Sequence, residues 1–159
     1  MAKSLGPTSA PTPIVTTFAP LVMQAKAELA RQYNVPEWKI AERQKTVADG
    51  KRFAGLQAAA KAGIVIGFGT DAGSPVVPHS VVAPEMEFMI HLRIVKHAYA
   101  AIRSATSVAA GINKLGGKVG MLKPGFQADV IVVEGKPDQK IAAIEKVQMT
   151  LVGGKRMVG

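Results

Sequence analysis

Four side chains suited to hydrolytic chemistry lie within one short stretch: Thr70, Asp71, His79 and Glu85. Asp71 is the first catalytic candidate, because a carboxylate is both a proton acceptor and a hard oxygen ligand for a metal ion. It stands beside the Thr70 hydroxyl in a glycine-bracketed turn, Gly69-Thr70-Asp71-Ala72-Gly73. An aspartate in such a place could equally cap a turn or a helix start through its own backbone. His79 falls in a proline-rich loop, near its middle, where an ordinary loop histidine is also a reading. Glu85 opens a helical pattern, where a carboxylate also suits the positive end of the helix dipole.

The elements around these residues read as an α/β unit. Ile64, Val65, Ile66 and Phe68 form an apolar run between Gly63 and Gly69, which predicts a strand buried on both faces. Helix, Gly63, strand and polar turn in that order put Asp71 at the carboxyl end of a parallel strand, the functional edge of such folds. Earlier, Ser4 to Pro13 reads as a lead-in, with residues 1–12 flexible, and Ile14 to Phe18 has the β-branched residues of a short strand. Pro20 suits a helix first turn, and Leu21, Ala25, Leu29 and Tyr33 predict one helix with a single apolar face, stopped at Asn34 and Pro36. The segment from Pro36 to Thr46 carries only a weak helical signal, and a further helix is expected over Val47 to Lys61. Ser74 to Pro84 is a loop, followed by helices from Glu85 to Ile94 and from Tyr99 to Leu115. Residues 117–159 turn to strand patterns, Val130 to Val133 and Val147 to Val152. Gly153-Gly154 then forms a hairpin turn into Met157-Val158.

The 159 residues are 48% hydrophobic and 19% charged, which is the composition of a folded globular chain. No run has the length of a membrane span, and Met1-Ala2-Lys3-Ser4 lacks the apolar core of a secretion signal, so the expected compartment is the cytoplasm. The absence of cysteine excludes disulfides and thiolate metal sites, and leaves His, Asp, Glu or a modified Lys as metal ligands. The net charge of +9 is spread along the chain without an arginine-rich run or aromatic-studded strand, which argues for a solvated basic surface over nucleic-acid binding.

Several stretches resemble one family. Gly69-Thr70-Asp71-Ala72-Gly73, then His79, then Glu85-Met86, is similar to the eighth barrel strand and following loop of the metal-dependent amidohydrolases, in the branch of imidazolonepropionase-like and prolidase-like enzymes. Pro11-Thr12-Pro13-Ile14-Val15-Thr16-Thr17 resembles the seventh strand, whose end often carries threonine. Ala101-Ile102-Arg103-Ser104-Ala105-Thr106 with Ala109-Ala110 resembles the family's Ala-Leu-x-x-Ala-Thr helix. Gly120-Met121-Leu122-Lys123-Pro124-Gly125-Phe126-Gln127-Ala128-Asp129-Val130 resembles the signature where the chain returns from barrel to β-sandwich, and Val152-Gly153-Gly154-Lys155 its terminal hairpin.

The resemblance implies the carboxy-terminal portion of a (β/α)8 barrel over residues 13–116 and part of a composite β-sandwich over 117–159. A whole barrel of about 250 residues exceeds this length. It implies that Asp71 is catalytic, binding the more buried metal and taking a proton from a metal-bound water, that Thr70 orients it, and that His79 and Glu85 touch substrate or hold the loop. His91 and His97 are structural or exposed, and Asp129 fixes a turn. The family's other metal ligands, a His-x-His pair among them, have no counterpart here. A divalent metal, zinc by the family's habit, would therefore need another segment or chain to complete its site. The expected function is the carboxy-terminal fragment of an enzyme hydrolysing an amide or related C–N bond of a small-molecule or peptide-like substrate, inactive without its amino-terminal part. The alternative is a non-catalytic remnant that binds a partner or assembles through open strand edges; either way self-association or a complementary chain is expected.

Overall fold

The computed structural model describes residues 11–74 and 76–157, so most of the expected lead-in, and Val158 of the last strand, lie outside the described residues. Strand β1 (Ile14–Thr16) pairs in parallel with β2 (Ile66–Phe68), placing Ile14 opposite Ile66, Val15 opposite Gly67 and Thr16 opposite Phe68. The crossover between them runs through four helices, α1 (Ala19–Ala25), α2 (Ala27–Gln32), α3 (Glu37–Asp49) and α4 (Ala54–Lys61). Helix α5 (Ala83–His91) follows β2, then α6 (Ala98–Ala105) and α7 (Ser107–Ile112). An antiparallel sheet in the order β3 (Val130–Val133), β4 (Val147–Val152), β5 (Lys155–Met157) closes the chain. The fold is α/β. Among the described residues its parallel sheet has two strands and its antiparallel sheet three, fewer than a closed barrel or a whole sandwich requires.

Several expected boundaries move, each for a traceable reason. The helix expected to run unbroken to Tyr33 breaks at Lys26, whose backbone is extended. The Gln44 side-chain amide donates to the Ala25 carbonyl freed by the break, at 3.1 Å. The buried residues there are Ala19, Met23 and Ala30, while Tyr33 is exposed. Helix α3 is longer and more continuous than its sequence suggests: only Ile40 is fully buried, so no apolar stripe announces it. It runs through the expected boundary at Val47 and stops at Gly50, whose φ of 63° suits glycine at a helix end. Helix α5 begins at Ala83 with Pro84 in its first turn and ends at His91, short of Ile94. The expected helix from Tyr99 is interrupted at Thr106, because Gly120 packs there. A Cβ on Gly120 would stand 2.8 Å from the Thr106 carbonyl oxygen.

Strand β2 is shorter than the apolar run that predicts it, but it is covered on both faces, with Ile66 and Gly67 buried and Phe68 half-buried. Val65, just before the strand, is 46% exposed. Two glycines let its neighbours come close: a Cβ on Gly67 would meet Ile112 Cδ1 at 2.5 Å, and one on Gly69 would meet the Thr16 carbonyl oxygen and Val15 Cγ1 at 2.9 Å.

The core beneath the parallel strands is built on three phenylalanines. Phe18, Phe53 and Phe88 meet edge to face with centroids 5.2–5.5 Å apart, the arrangement their ring quadrupoles favour, and Ile66, Met89, Leu92 and Ile94 surround them. A second cluster joins Ala19 and Met23 of α1 to Val76, Val77 and Val81 of the loop after β2. A third joins Met86 of α5 and Ala101 of α6 to Ile141, in a short 3-10 helix (Ile141–Glu145) preceding β4. Glu145 from that helix accepts a hydrogen bond from the Ala83 amide at 3.1 Å, covering an otherwise unpaired donor at the start of α5.

Candidate active site

Asp71 lies just past the carboxyl end of β2, exposed, with a φ of 52°. A non-glycine residue in the left-handed region is uncommon, and aspartate is among the few that adopt it readily. The Thr70 hydroxyl accepts a hydrogen bond from the Ala72 amide at 3.3 Å, so Thr70 braces the backbone on both sides of Asp71. Its observed contact is with this backbone. The next turn is closed by the Gly73 amide donating to the Val77 carbonyl at 3.0 Å and by the Val77 amide donating to Ser74 at 2.9 Å. This fold-back brings the exposed His79 ring to 3.9 Å from where a Gly73 Cβ would be. Asp71 and His79 thus share one small loop at the carboxyl end of the strand.

Glu85 is elsewhere: it stands in the first turn of α5, as the helical pattern predicts, but in neither of the roles the family resemblance implied. It is fully buried, with no surface to offer a substrate, and it does not hold the loop that carries His79. One carboxylate oxygen accepts from the Thr16 hydroxyl at 2.9 Å, and the other accepts from the Ala19 amide at 2.6 Å. It therefore joins the last residue of β1 to the first of α1. Burial pushes the Glu85 carboxyl up to about 7, against the opposing effect of hydrogen bonds from Thr16, Ala19 and Phe18, which favour the charged form. The signal in the sequence is the single acid within the apolar stretch Val81-Val82-Ala83-Pro84-Glu85-Met86. The partner Thr16, 69 residues earlier, carries no local mark of the contact.

The remaining polar candidates have structural contacts. His91 stacks on Phe88, and His97 Nδ1 accepts from the Ala100 amide at 3.3 Å, capping α6. Asp129 accepts from the Gly153 amide at 2.7 Å and from Gln127 at 2.8 Å, tying the start of β3 to the β4–β5 turn. A cavity of about 470 Å³ opens between α1, the loop after β2 and the antiparallel sheet, lined by Met23, Lys26, Val81, Ile131, Ile144 and Val147, with neither Asp71 nor His79 on its wall. Among the described residues, no three His, Asp or Glu side chains are gathered closely enough to hold a metal ion. Among the described residues, too, no helix is long and apolar enough to cross a membrane.

An acid braced at the carboxyl end of a parallel strand defines an α/β protein whose candidate site lies on the usual functional edge of its sheet. The particular family follows from comparison: residues 10–157 match the model of the amidohydrolase family, and the chain belongs to that family, in its prolidase-like branch. Its fold is similar to a prolidase crystallised with N-methylphosphonate-L-proline, at 25% identity and a TM-score of 0.67 over 91% of this chain and 34% of that one. It is similar to a Xaa-Pro dipeptidase with methionine in its active site, at 26% identity and a TM-score of 0.63, covering 89% of this chain and 34% of the dipeptidase. The A. niger ochratoxinase is similar at 28% identity and a TM-score of 0.60, over 92% and 32% of the two chains. The chain thus spans about a third of the length of these structures. No curated protein matches its sequence significantly.

Proposed function

We propose that the chain is the carboxy-terminal part of a metal-dependent amidohydrolase that cleaves an amide or related C–N bond of a small-molecule or peptide-like substrate by attack of water. The observation that carries this reading is Asp71, exposed and braced at the carboxyl end of a strand paired in parallel, in a chain of this family. A prolidase and a Xaa-Pro dipeptidase among the similar structures support a peptide-like substrate. In this reading Asp71 is the proton acceptor and would contribute one ligand to a divalent metal, zinc. The described residues do not make a metal centre by themselves, so the remaining donors come from a complementary segment or chain. His79, on the same loop, would contact the substrate. The edges of the two-stranded sheet, with Val15 and Val65 half exposed, are where the complement or a second copy would pair.

The test measures hydrolysis of Xaa-Pro dipeptides and acyl amides, with zinc present, by the chain alone and after co-expression with the coding segment upstream of it. Turnover is expected only in the complemented protein, reduced by at least about 100-fold in Asp71→Asn. Turnover by the chain alone would overturn the requirement for a complement. Complemented turnover untouched by Asp71→Asn would remove Asp71 from the site.

A further inference from the structure

Among the described residues Glu85 is the one fully buried acid, the proposed chemistry does not use it, and its two oxygens are both engaged at the β1–α1 junction. Between its partners Thr16 and Ala19 lie only Thr17 and Phe18, so one carboxylate staples both ends of the β1–α1 turn. Phe18 is held from the same helix, its ring meeting that of Phe88 at 5.2 Å, three residues after Glu85 on α5. The turn is therefore fixed to α5 by a polar and an apolar contact together.

That turn touches the strand end that carries Asp71. The Thr16 carbonyl oxygen lies 2.9 Å, and Thr17 Cγ2 3.2 Å, from the position a Cβ on Gly69 would take. Thr16 is also paired with Phe68 across the parallel sheet, so displacement of Thr16 displaces the end of β2, one residue before Gly69 and three before Asp71. We propose that Glu85 is a positioning residue for Asp71, acting through Thr16, the β1–α1 turn and the Gly69 backbone. The proposal rests on the reading of Asp71 given above and deepens it. The geometry asks for a side chain that accepts twice, from a hydroxyl and from an amide, which a carboxylate does without rearrangement. An alanine would leave the Ala19 amide unpaired. A glutamine would keep the tie, its oxygen accepting from Ala19 and its amide donating to a rotated Thr16 hydroxyl.

The experiment follows backbone amide signals of the chain by ¹H–¹⁵N NMR, independently of any activity. In the wild type, the Ala19 amide and those of Gly69, Thr70 and Asp71 should shift together with one midpoint near 7 as Glu85 ionises. That shared shift should vanish in Glu85→Gln while the four signals stay close to their wild-type acid positions. Glu85→Ala should move all four. The proposal is overturned if Ala19 titrates while Gly69 to Asp71 do not. It is equally overturned if their shift persists in Glu85→Gln, or if a folded Glu85→Ala leaves them in place. Should Glu85→Ala not fold, the wild-type and Glu85→Gln titrations still decide. In the complemented enzyme, Glu85→Ala should lower kcat about tenfold with KM little changed, and Glu85→Gln should restore it. A failed Asp71→Asn test would sink the catalytic reading and leave the NMR result intact, so the two failures are distinguishable.

Discussion

The buried carboxyl of Glu85 makes the stability of this chain depend on pH in a direction opposite to that of most carboxylates. Its ordinary value is 4.5 and its folded value about 7, raised by burial. Between those limits the native chain holds a proton that the unfolded chain has lost, so stability falls as pH rises. The favourable contribution is complete below about pH 4.5, is lost on rising through about pH 7, and changes little beyond. The difference of about 2.5 units, at about 1.36 kcal/mol each, corresponds to roughly 3 kcal/mol, a large share of the 5–15 kcal/mol by which a domain is ordinarily stable. The elements packed on α5 bring Glu145, Tyr99 and Arg103, and α5 itself carries Glu87 and His91. None of these is among the causes of the shift, which comes from burial and is limited by the hydrogen bonds from Thr16, Ala19 and Phe18. Urea unfolding followed by far-UV circular dichroism, at constant ionic strength, should show the midpoint falling by roughly 1–2 M between about pH 5 and about pH 8. Glu85→Gln should flatten that slope, equalling the wild type at the acid end and exceeding it at the alkaline end. A wild-type midpoint that rises over this window, or a slope that survives in Glu85→Gln, would refute the reasoning.

Three other perturbations have expected outcomes. Gly69→Ala puts a methyl 2.9 Å from the Thr16 carbonyl oxygen and Val15 Cγ1, and should destabilise by about 1–3 kcal/mol in denaturant unfolding, whereas Gly55→Ala, with open space at that position, should not. Phe53→Ala removes one ring of the buried trio and should cost about 3–5 kcal/mol by the same measurement, the larger values applying if the cavity does not collapse. Asp129→Ala should speed hydrogen exchange at Gly153 and Gly154 while leaving α5 and α6 protected. The Asp129 carboxyl is held below its ordinary value, chiefly by the Gly153 amide, so in the wild type the same turn should loosen as pH falls through that lowered value.

Much of the site's local grammar could be read without coordinates. The glycine-flanked apolar run before Asp71, the paired glycines before Lys155, and Pro20 in the first turn of α1 are short-range signals, because each reflects the φ range or hydrogen-bonding capacity of its own residue. Gly153 and Gly154 accordingly adopt positive φ in the β4–β5 turn, and β2 ends where the polar turn begins. Helix α3 was less legible because it docks through Ile40, the half-buried Val47 and polar contacts of Arg43 and Gln44 rather than through a continuous apolar stripe. The breaks at Lys26 and Thr106 were invisible for a related reason: each is matched by a group from elsewhere, Gln44 at the Ala25 carbonyl and Gly120 against Thr106.

By itself, then, the sequence determined the α/β alternation, the hairpin, and the placement of Asp71 at a strand's carboxyl end, since these follow from backbone preferences acting over a few residues. Only the tertiary structure decided that Glu85 is sealed in the interior and bound to Thr16 and Ala19 rather than lying at a helix surface. Burial and hydrogen-bond partnership are properties of residues brought together from distant parts of the chain. The same carboxylate is an exposed cap or a buried tie according to what packs around it.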